Sequence, residues 1–334
     1  MPISPEPPRG ACRYSVVVPM HNEEAHVEPL YKQLAVAMDG LRQSYELLFV
    51  DDGSTDRTFA LLTRLAETDP RVCAIQLKRN FGQTAALTAG FDHAAGEILI
   101  AMDADLRNSP AEIPVLLDKL AEGYDLVSGW RRDRRHEGLL RTWPSGVASW
   151  LLAKISGVPL RDFGTTFKVY RRELVRGLRL SGEQHRFIPV LANWLGARIA
   201  EVPVTDSPRK FGKSHYGLGR TLRVPFDLIT LKFLQHYRMH PMRLFGPAGL
   251  ISFTAGSAIL LSWLAKRVFH WPAIFPQSIG AVILGVLLLL AGLQFFSIGL
   301  VGELLVRSHF EGQREPIYRV ERLVKATRLA RSAN

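Results

Sequence analysis

Two aspartates separated by one residue carry the clearest chemical signal in the chain. Asp103 and Asp105 follow the apolar run 97–102, which is typical of a buried strand. Two carboxylates at this spacing can share one hard divalent cation, and Mg²⁺ or Mn²⁺ bound there would bridge them to a diphosphate. A solvated loop is the alternative for an isolated pair, but the position at the end of a strand favours the metal.

A second acidic pair, Asp51 and Asp52, ends another apolar run and is followed by Gly53 and Ser54. Acidic side chains at a strand end can accept hydrogen bonds from a ribose or a base. Asp and Ser are also typical N-cap residues, here before the helical pattern 55–67. The two roles are compatible.

Two clusters of basic residues indicate anion binding. One contains Arg131, Arg132, Arg134 and Arg135, with Arg141 beyond, and the other contains Arg209, Lys210 and Lys213 around Gly212. Guanidinium groups suit phosphate oxygens, and glycine lets a loop fold over a ligand. A solvated surface, or a contact with lipid headgroups, is the alternative for both clusters.

Composition and missing motifs exclude several classes. The net charge of +11 suits nucleic acid, anionic lipid or phosphorylated substrates without choosing among them. Two cysteines cannot form a disulfide framework or a thiolate metal site, and they favour a reducing compartment. The motifs GxxxxGK[ST], GxGxxG, HExxH and GxSxG do not occur, so ATPase, dinucleotide-dependent, zinc-protease and serine-hydrolase classes lose their main support.

The elements that must position these residues alternate along the chain. Strand patterns and helix patterns take turns, at 14–19, 23–41, 45–50, 55–67, 72–77, 84–95 and 97–102. This order predicts an α/β domain with a mostly parallel sheet and helices on both faces. Ligands of such sheets bind beyond the carboxyl ends of the strands, where both acidic pairs fall.

The second half of the chain contains two long apolar segments. Residues 244–265 lack Lys, Arg, Asp and Glu, and a second uncharged run has its compact apolar part at 279–301. Because about 20 apolar residues span a bilayer as a helix, we expect two transmembrane helices, with a buried soluble helix as the alternative. The start of the chain lacks the apolar stretch of a secretory signal.

These patterns divide the chain into four parts. We expect a polar leader at 1–13, a soluble domain at 14–240, a two-helix membrane segment at 241–302 and a basic tail at 303–334. The amphipathic stretches 139–155 and 217–238 predict either surface helices or helices at the membrane interface.

As a set, several motifs resemble one enzyme family. They are VVVPMHNEE, VDDGSTDRT (50–58), RNFGQTAALTAGFDHAAGE (79–97), DADL (103–106), DFGTTFKVYRRE (162–173), EVPV (201–204), RKFGKSHYG (209–217), SIGLVGELLVR (297–307) and REPIY (314–318). In this order they resemble the membrane-anchored family-2 glycosyltransferases of GT-A fold that act on polyprenyl phosphates. That group includes dolichyl-phosphate mannose synthase and the bacterial undecaprenyl-phosphate glucosyl- and aminoarabinosyl-transferases.

The resemblance implies a role for each matching residue. Asp103 and Asp105 would hold the metal, and Asp162 and Arg209 would complete the catalytic set. The other implied groups are the donor pocket (Pro19, Asn22, Glu24, Asp52, Ala104), the acceptor-phosphate site (Arg131, Arg141, Ser145) and a loop over the donor (Arg209, Gly212, Ser214, Tyr216).

One departure from the family pattern bears on the metal. The family usually has glutamine where this chain has Arg107, and we expect Arg107 to reach the diphosphate or to pair with Asp103 or Asp105. The substitution Arg107→Gln should then tighten metal binding. His215 replaces a usual lysine, a milder change.

The resemblance implies an inverting transfer of sugar from a nucleotide-sugar donor to polyprenyl phosphate, for modification of cell-envelope glycans. UDP-glucose is the preferred donor because 185–204 resembles the glucosyl branch, while GDP-mannose and UDP-linked amino or acidic sugars stay open. A processive polysaccharide synthase, a non-catalytic membrane scaffold and a nucleic-acid binder are the competing interpretations. Two membrane helices are too few for a polymer channel, and a nucleic-acid binder leaves them without a role.

Basic residues predict the orientation in the membrane. Many flank the two apolar segments, whereas the loop between the segments has only Lys266 and Arg267. The positive-inside rule then places the catalytic domain and both termini in the cytoplasm, in a multi-pass protein of the inner (plasma) membrane. A homo-oligomer stays open.

Overall fold

The computed structural model describes residues 12–131, 157–158, 160–178, 184–207, 241–270, 278–312 and 317–325, with the backbone alone at 305–312. The chain divides into two compact units. The first comprises residues 1–221 together with 316–334, and the second comprises residues 222–315.

The first unit is built on one eight-stranded sheet in the order β7-β5-β6-β4-β1-β2-β3-β8. The strands are β1 (Cys12–Met20), β2 (Tyr45–Asp51), β3 (Val72–Leu77), β4 (Gly96–Ala101), β5 (Leu126–Arg131), β6 (Lys168–Arg171), β7 (Ile199–Val204) and β8 (Val320–Lys325). The pairs β1–β2, β1–β4, β2–β3 and β5–β7 are parallel, and the pairs involving β6 or β8 are antiparallel.

Helices cover both faces of this sheet. They are α1 (Glu24–Gly40), α2 (Thr58–Thr68), α3 (Gln83–His93), α4 (Ile113–Ala121), α5 (Arg172–Gly177) and α6 (Ile188–Trp194). Val16 and Val18 of β1 face the core formed with α1, α2 and α4, whereas Val17 faces the core formed with α3 and α6. Val16, Val17 and Val18 form a continuous apolar run because both faces of the strand are buried there, as expected of a parallel sheet between helices.

The sequence correctly predicts the mostly parallel α/β sheet and its strands β1 to β4, but it assigned no strand to the residues of β5 to β8. Residues 320–325, which we assigned to a basic tail, form β8 and pair with β3. The sequence VERLVK carries charges because an edge strand has solvent along its outer side, so the apolar alternation that identifies a strand is weak. The tail assignment is therefore wrong for these residues.

The second unit contains the helices α7 (Met242–Phe269) and α8 (Ile279–Gly312). Both are long and apolar enough to cross a membrane. They pack closely: a Cβ at Gly256 would lie 2.6 Å from the carbonyl oxygen of Gly285, and one at Gly292 would lie 2.7 Å from the nitrogen of Phe253. Glycine is required at these contacts because the two backbones meet. Helix α8 continues ten residues beyond the predicted membrane segment, which ended at residue 302.

Candidate active site

The parallel strands bring three polar segments to one edge of the sheet. Met20 of β1 pairs with Asp51 of β2, and Val17 of β1 pairs with Ala101 of β4. The residues that follow these strands therefore start at the same edge, which is where α/β sheets bind ligands. The sequence-predicted residues Asn22, Asp52 and Asp103 all lie there.

Asp52 connects this edge to the start of α3. Its two carboxylate oxygens accept hydrogen bonds from the backbone nitrogens of Phe81 (2.7 Å) and Gly82 (2.9 Å). Burial raises the pKa of Asp52, and these two hydrogen bonds oppose that rise because they favour the charged form. Gly82 precedes α3 with φ of 96°, a conformation that glycine adopts without strain. Asp52 thus fixes the position of the α3 N-terminus.

The other residues of the predicted donor pocket join two loops. Asn22 accepts a hydrogen bond from the backbone nitrogen of Thr55 (2.8 Å) and donates one from its own backbone to Ser54 (2.8 Å). Glu24 accepts one from the nitrogen of Arg57 (3.1 Å). Pro19 lies within β1, beside Val50 of β2. These contacts hold the β1–α1 loop against the β2–α2 loop, and they form one wall of the site.

Asp103 is half-buried, and neighbouring side chains hold its carboxylate. The amide of Gln83 donates to its Oδ1 (2.7 Å) and to the hydroxyl of Thr166 (3.1 Å), and that hydroxyl bonds Asp103 in turn. Burial, and then the charge of Asp105, raise the pKa of Asp103 to about 6. Two carboxylates that repel each other in a half-buried place are what a cation would stabilise.

A buried lysine lies near these acids. Lys168 on β6 is 1% exposed, and its ammonium donates to the carbonyl of Thr165. Burial lowers the pKa of Lys168 to about 8, while the charges of Asp162 and Asp103 oppose that shift. A cation in this position offsets part of the negative charge of the site before any ligand arrives.

Arg107 forms an ion pair that the sequence did not predict. Its guanidinium donates to Asp206, with Nε 3.1 Å from Oδ1 and Nη2 2.7 Å from Oδ2. Asp206 lies two residues after β7 and gives the charge of Arg107 a buried partner distant in sequence. That this arginine also reaches the diphosphate, or pairs with Asp103 or Asp105, stays a prediction.

Arg131, assigned from the sequence to the acceptor-phosphate site, and Asp162, assigned to the catalytic set, are partners. The guanidinium of Arg131 contacts both carboxylate oxygens of Asp162, and the backbone nitrogen of Gly164 donates to the same carboxylate (2.9 Å). Glu201 of β7 accepts hydrogen bonds from the backbone nitrogens of Arg161 and Asp162 (both 3.0 Å). The carboxylate of Asp162 is therefore held from several directions.

Several predicted site residues lie outside the described part of the chain. They are Arg141 and Ser145 of the acceptor-phosphate site and Arg209, Gly212, Ser214 and Tyr216 of the loop over the donor. The amphipathic stretches 139–155 and 217–238 also lie outside it over their whole length. Ala104, assigned to the donor pocket, is described and buried.

Sequence reasoning missed four residues of the site. Gln83, Thr166 and Lys168 lie within motifs that carried the resemblance, yet none was assigned a role. A lysine between Phe167 and Val169 was the one visible signal, because a lone charge in an apolar strand must find a buried partner. Asp206 gave no local signal, since its partner is 99 residues away.

The described arrangement can bind a cation and the anion that accompanies it. Groups of three or more His, Cys, Asp or Glu placed to hold a metal are absent from the described residues. Asp103 and Asp105 would thus leave coordination positions for the oxygens of a ligand or water, as Mg²⁺ and Mn²⁺ sites usually do. A diphosphate is a ligand that supplies such oxygens.

Comparison with known proteins gives consistent results. Residues 15–179 match glycosyl transferase family 2. The chain is 37% identical to dodecaprenyl-phosphate galacturonate synthase of Rhizobium johnstonii, over 95% of this chain and 96% of that protein. It is 36% identical to undecaprenyl-phosphate 4-deoxy-4-formamido-L-arabinose transferase of Pseudomonas aeruginosa, over 94% of this chain and 91% of that protein.

A solved structure resembles the first unit. It is glucosyl-3-phosphoglycerate synthase from Mycobacterium tuberculosis in complex with Mn²⁺, UDP and phosphoglyceric acid. The TM-score is 0.52 at 22% identity, covering 67% of this chain and 78% of that chain. At this identity the likeness concerns the fold alone.

Proposed function

Because the chain belongs to glycosyl transferase family 2 and is a glycosyltransferase of GT-A fold, we propose that it transfers a sugar from a nucleotide-sugar donor to polyprenyl phosphate. The observation that carries the proposal is the half-buried pair Asp103 and Asp105 at the carboxyl edge of the sheet, in a chain with two membrane-length helices. The names of two relatives at 36–37% identity, both polyprenyl-phosphate sugar enzymes, support the acceptor.

A divalent cation, Mg²⁺ or Mn²⁺, belongs to this proposal. The described residues fit it, because the charge of Asp105 raises the pKa of the half-buried Asp103, and a cation would relieve that repulsion. Asp103 and Asp105 would hold the cation, which when bound neutralises charge on the donor diphosphate. Gln83 and Thr166 orient the carboxylate of Asp103 by hydrogen bonds, and Lys168 adds a fixed positive charge nearby.

The reaction is a single displacement with inversion at the anomeric carbon. A phosphate oxygen of the acceptor forms a bond to that carbon, and the bond from the carbon to the donor diphosphate breaks. The nucleoside diphosphate leaves with the electron pair. Because a phosphate monoester is largely ionised near neutral pH, the acceptor needs positioning more than a strong base. We assign that positioning to Arg131, Arg141 and Ser145, and Asp162 orients Arg131. We assign Arg209 to the leaving diphosphate, which its positive charge would stabilise.

The donor sugar is the finer part of the proposal. UDP-glucose remains a candidate from the sequence, and the names of the two relatives add galacturonate and 4-deoxy-4-formamido-L-arabinose to the set. We further propose that the enzyme works at the cytoplasmic face of the inner membrane, among the lipids that surround α7 and α8.

A donor panel tests the proposal directly. The full chain, purified in detergent, is incubated with Mn²⁺, undecaprenyl phosphate and each nucleotide sugar in turn, including UDP-glucose, UDP-galacturonate, UDP-4-deoxy-4-formamido-L-arabinose and GDP-mannose. We expect one donor to give a lipid-linked sugar and free nucleoside diphosphate in equal amounts. Release of nucleotide without lipid product, in the presence of acceptor, would contradict the acceptor assignment.

A further inference from the structure

Leu106, between Asp105 and Arg107, has an unusual backbone conformation. Its φ is 57°, in the left-handed region, and its side chain is 7% exposed. A residue with a Cβ is strained in this region because its Cβ comes too close to the following carbonyl oxygen. Such a conformation persists only where the surrounding structure holds it, and it is enriched at functional sites. The turn at Leu106 therefore depends on contacts with neighbouring residues.

The turn is held by the segment that follows β7. Besides the two-point ion pair between Arg107 and Asp206, the backbone nitrogen of Ser207 donates to the carbonyl of Arg107 (2.9 Å). The amide of Asn108 donates to the carbonyl of Thr205 (3.3 Å). The segment 205–207, directly after β7, therefore forms hydrogen bonds with both Arg107 and Asn108, the two residues that follow Leu106.

The ion pair is the strongest of these contacts. The side chain of Asp206 is fully buried, and that of Arg107 is 20% exposed. Breaking a buried pair by removing one partner leaves the other charge uncompensated, which is costly. A planar guanidinium facing a carboxylate at two points also fixes orientation, which a single point charge does not.

The turn also controls the direction of Asp105. The backbone nitrogen of Arg107 donates to Oδ1 of Asp105 (3.3 Å), so the peptide that the turn orients contacts the carboxylate itself. We propose that Arg107 and Asp206 form a positioning pair, which holds Leu106 in its left-handed conformation and thereby aims Asp105 at the divalent cation. This inference rests on the proposed function, because it assigns the pair to that cation.

The inference reverses the effect expected of one substitution. From the sequence alone, Arg107→Gln removes a competing charge and should tighten metal binding. In the structure, the charge of Arg107 faces Asp206, and glutamine would leave that buried carboxylate without its cation. Metal binding should therefore weaken.

The test measures Mn²⁺ affinity by electron paramagnetic resonance, with the full chain in detergent and UDP present. Arg107→Gln and Asp206→Asn should each weaken Mn²⁺ binding about tenfold, the size expected for one charge-assisted interaction. The double variant should be no worse than the weaker single variant, because both remove one pair. Arg107→Lys, which keeps the charge but loses the planar fork, should fall between wild type and Arg107→Gln.

A matched control separates positioning from general stability. Arg71 makes a similar two-point pair with Asp69, with Nη2 2.8 Å from Oδ2 and Nε 3.0 Å from Oδ1, where β3 begins and so away from the carboxyl edge. Arg71→Gln should lower the melting temperature and leave Mn²⁺ affinity unchanged.

Two results would overturn the inference while leaving the proposed function intact. One is wild-type Mn²⁺ affinity, or tighter binding, in Arg107→Gln. The other is a weakening in Arg71→Gln equal to that in Arg107→Gln. A wild-type chain that neither binds Mn²⁺ with UDP nor transfers sugar would instead overturn the proposed function, and this inference with it.

Discussion

Arg131 and Asp162 form a two-point ion pair, with Nε 2.7 Å from Oδ2 and Nη2 3.0 Å from Oδ1. Their side chains are 13% and 5% exposed. The pair links the end of β5 to the segment before β6, so a residue assigned to the acceptor phosphate and a residue assigned to the catalytic set act as one unit. An acceptor phosphate bound by Arg131 would also be close to the carboxylate of Asp162.

Removing Arg131 should therefore affect both stability and acceptor use. Arg131→Ala leaves the charge of Asp162 buried, and we expect a loss of roughly 3–5 kcal/mol in the free energy of unfolding. The acceptor KM should rise more than the donor KM. Lys119→Ala, which breaks the exposed pair with Glu122, should leave stability nearly unchanged and change neither KM. Equal rises in both KM values would argue against an acceptor role.

The acidic side of the pH–activity profile should depend on Asp103. Its pKa is raised to about 6, so at subsaturating Mn²⁺ activity should fall as pH drops below about 6 because a proton replaces the metal. Thr166→Val removes a hydrogen bond that lowers this pKa, and the acidic limb should move to higher pH. Saturating Mn²⁺ should move it to lower pH. If neither Thr166→Val nor saturating Mn²⁺ moves the acidic limb of the pH–activity profile, the titrating group is not Asp103.

Much of the fold could be predicted from the sequence, because apolar runs and their punctuation are local. The runs that became β2 and β3 are apolar and end at acidic or polar residues, so their ends were placed within about one residue. β8 was missed because its charges follow from an edge position that only the tertiary structure defines. Asp206 was missed for the same reason, since a partner 99 residues away leaves no local pattern.

Transfer should require a divalent metal held by Asp105. Asp105→Ala removes one of two carboxylates, and we expect loss of sugar transfer at all tested Mn²⁺ and Mg²⁺ concentrations. EDTA should abolish wild-type activity, and added Mn²⁺ should restore it. Asp118→Ala, an exposed acid on α4, provides a control of equal charge change and should behave as wild type. Full activity in EDTA would contradict the metal requirement.

Tyr318, two residues before β8, should stabilise the first unit by connecting this end of the chain to α3. Its hydroxyl donates to Asp92 at the end of α3 (2.8 Å), and its ring is buried. Tyr318→Phe removes only this hydrogen bond, so the free energy of unfolding should fall by about 1 kcal/mol. Chemical denaturation in detergent measures the change. Glu321→Gln, at an exposed position of β8, should leave stability unchanged, and a Tyr318→Phe variant as stable as wild type would show that the bond contributes nothing.

The pairing of β8 with β3 also constrains topology. Strands before and after α7 and α8 share one sheet, so the chain must cross the membrane an even number of times between them. The positive-inside rule then predicts the cytoplasm for the whole first unit. A tag at the C-terminus should be digested by protease added to inside-out vesicles. Protection of that tag would exclude this orientation.

The same pairing sets an order of events during synthesis. The ribosome makes β3 early, but its partner β8 emerges only after both apolar helices have been translated. Until then the outer edge of β3 lacks the strand that covers it in the finished sheet, and open edges are sites of aggregation. Completion of the sheet therefore waits for the translation of α7 and α8, so a chain that ends within these helices should leave the first unit incompletely folded.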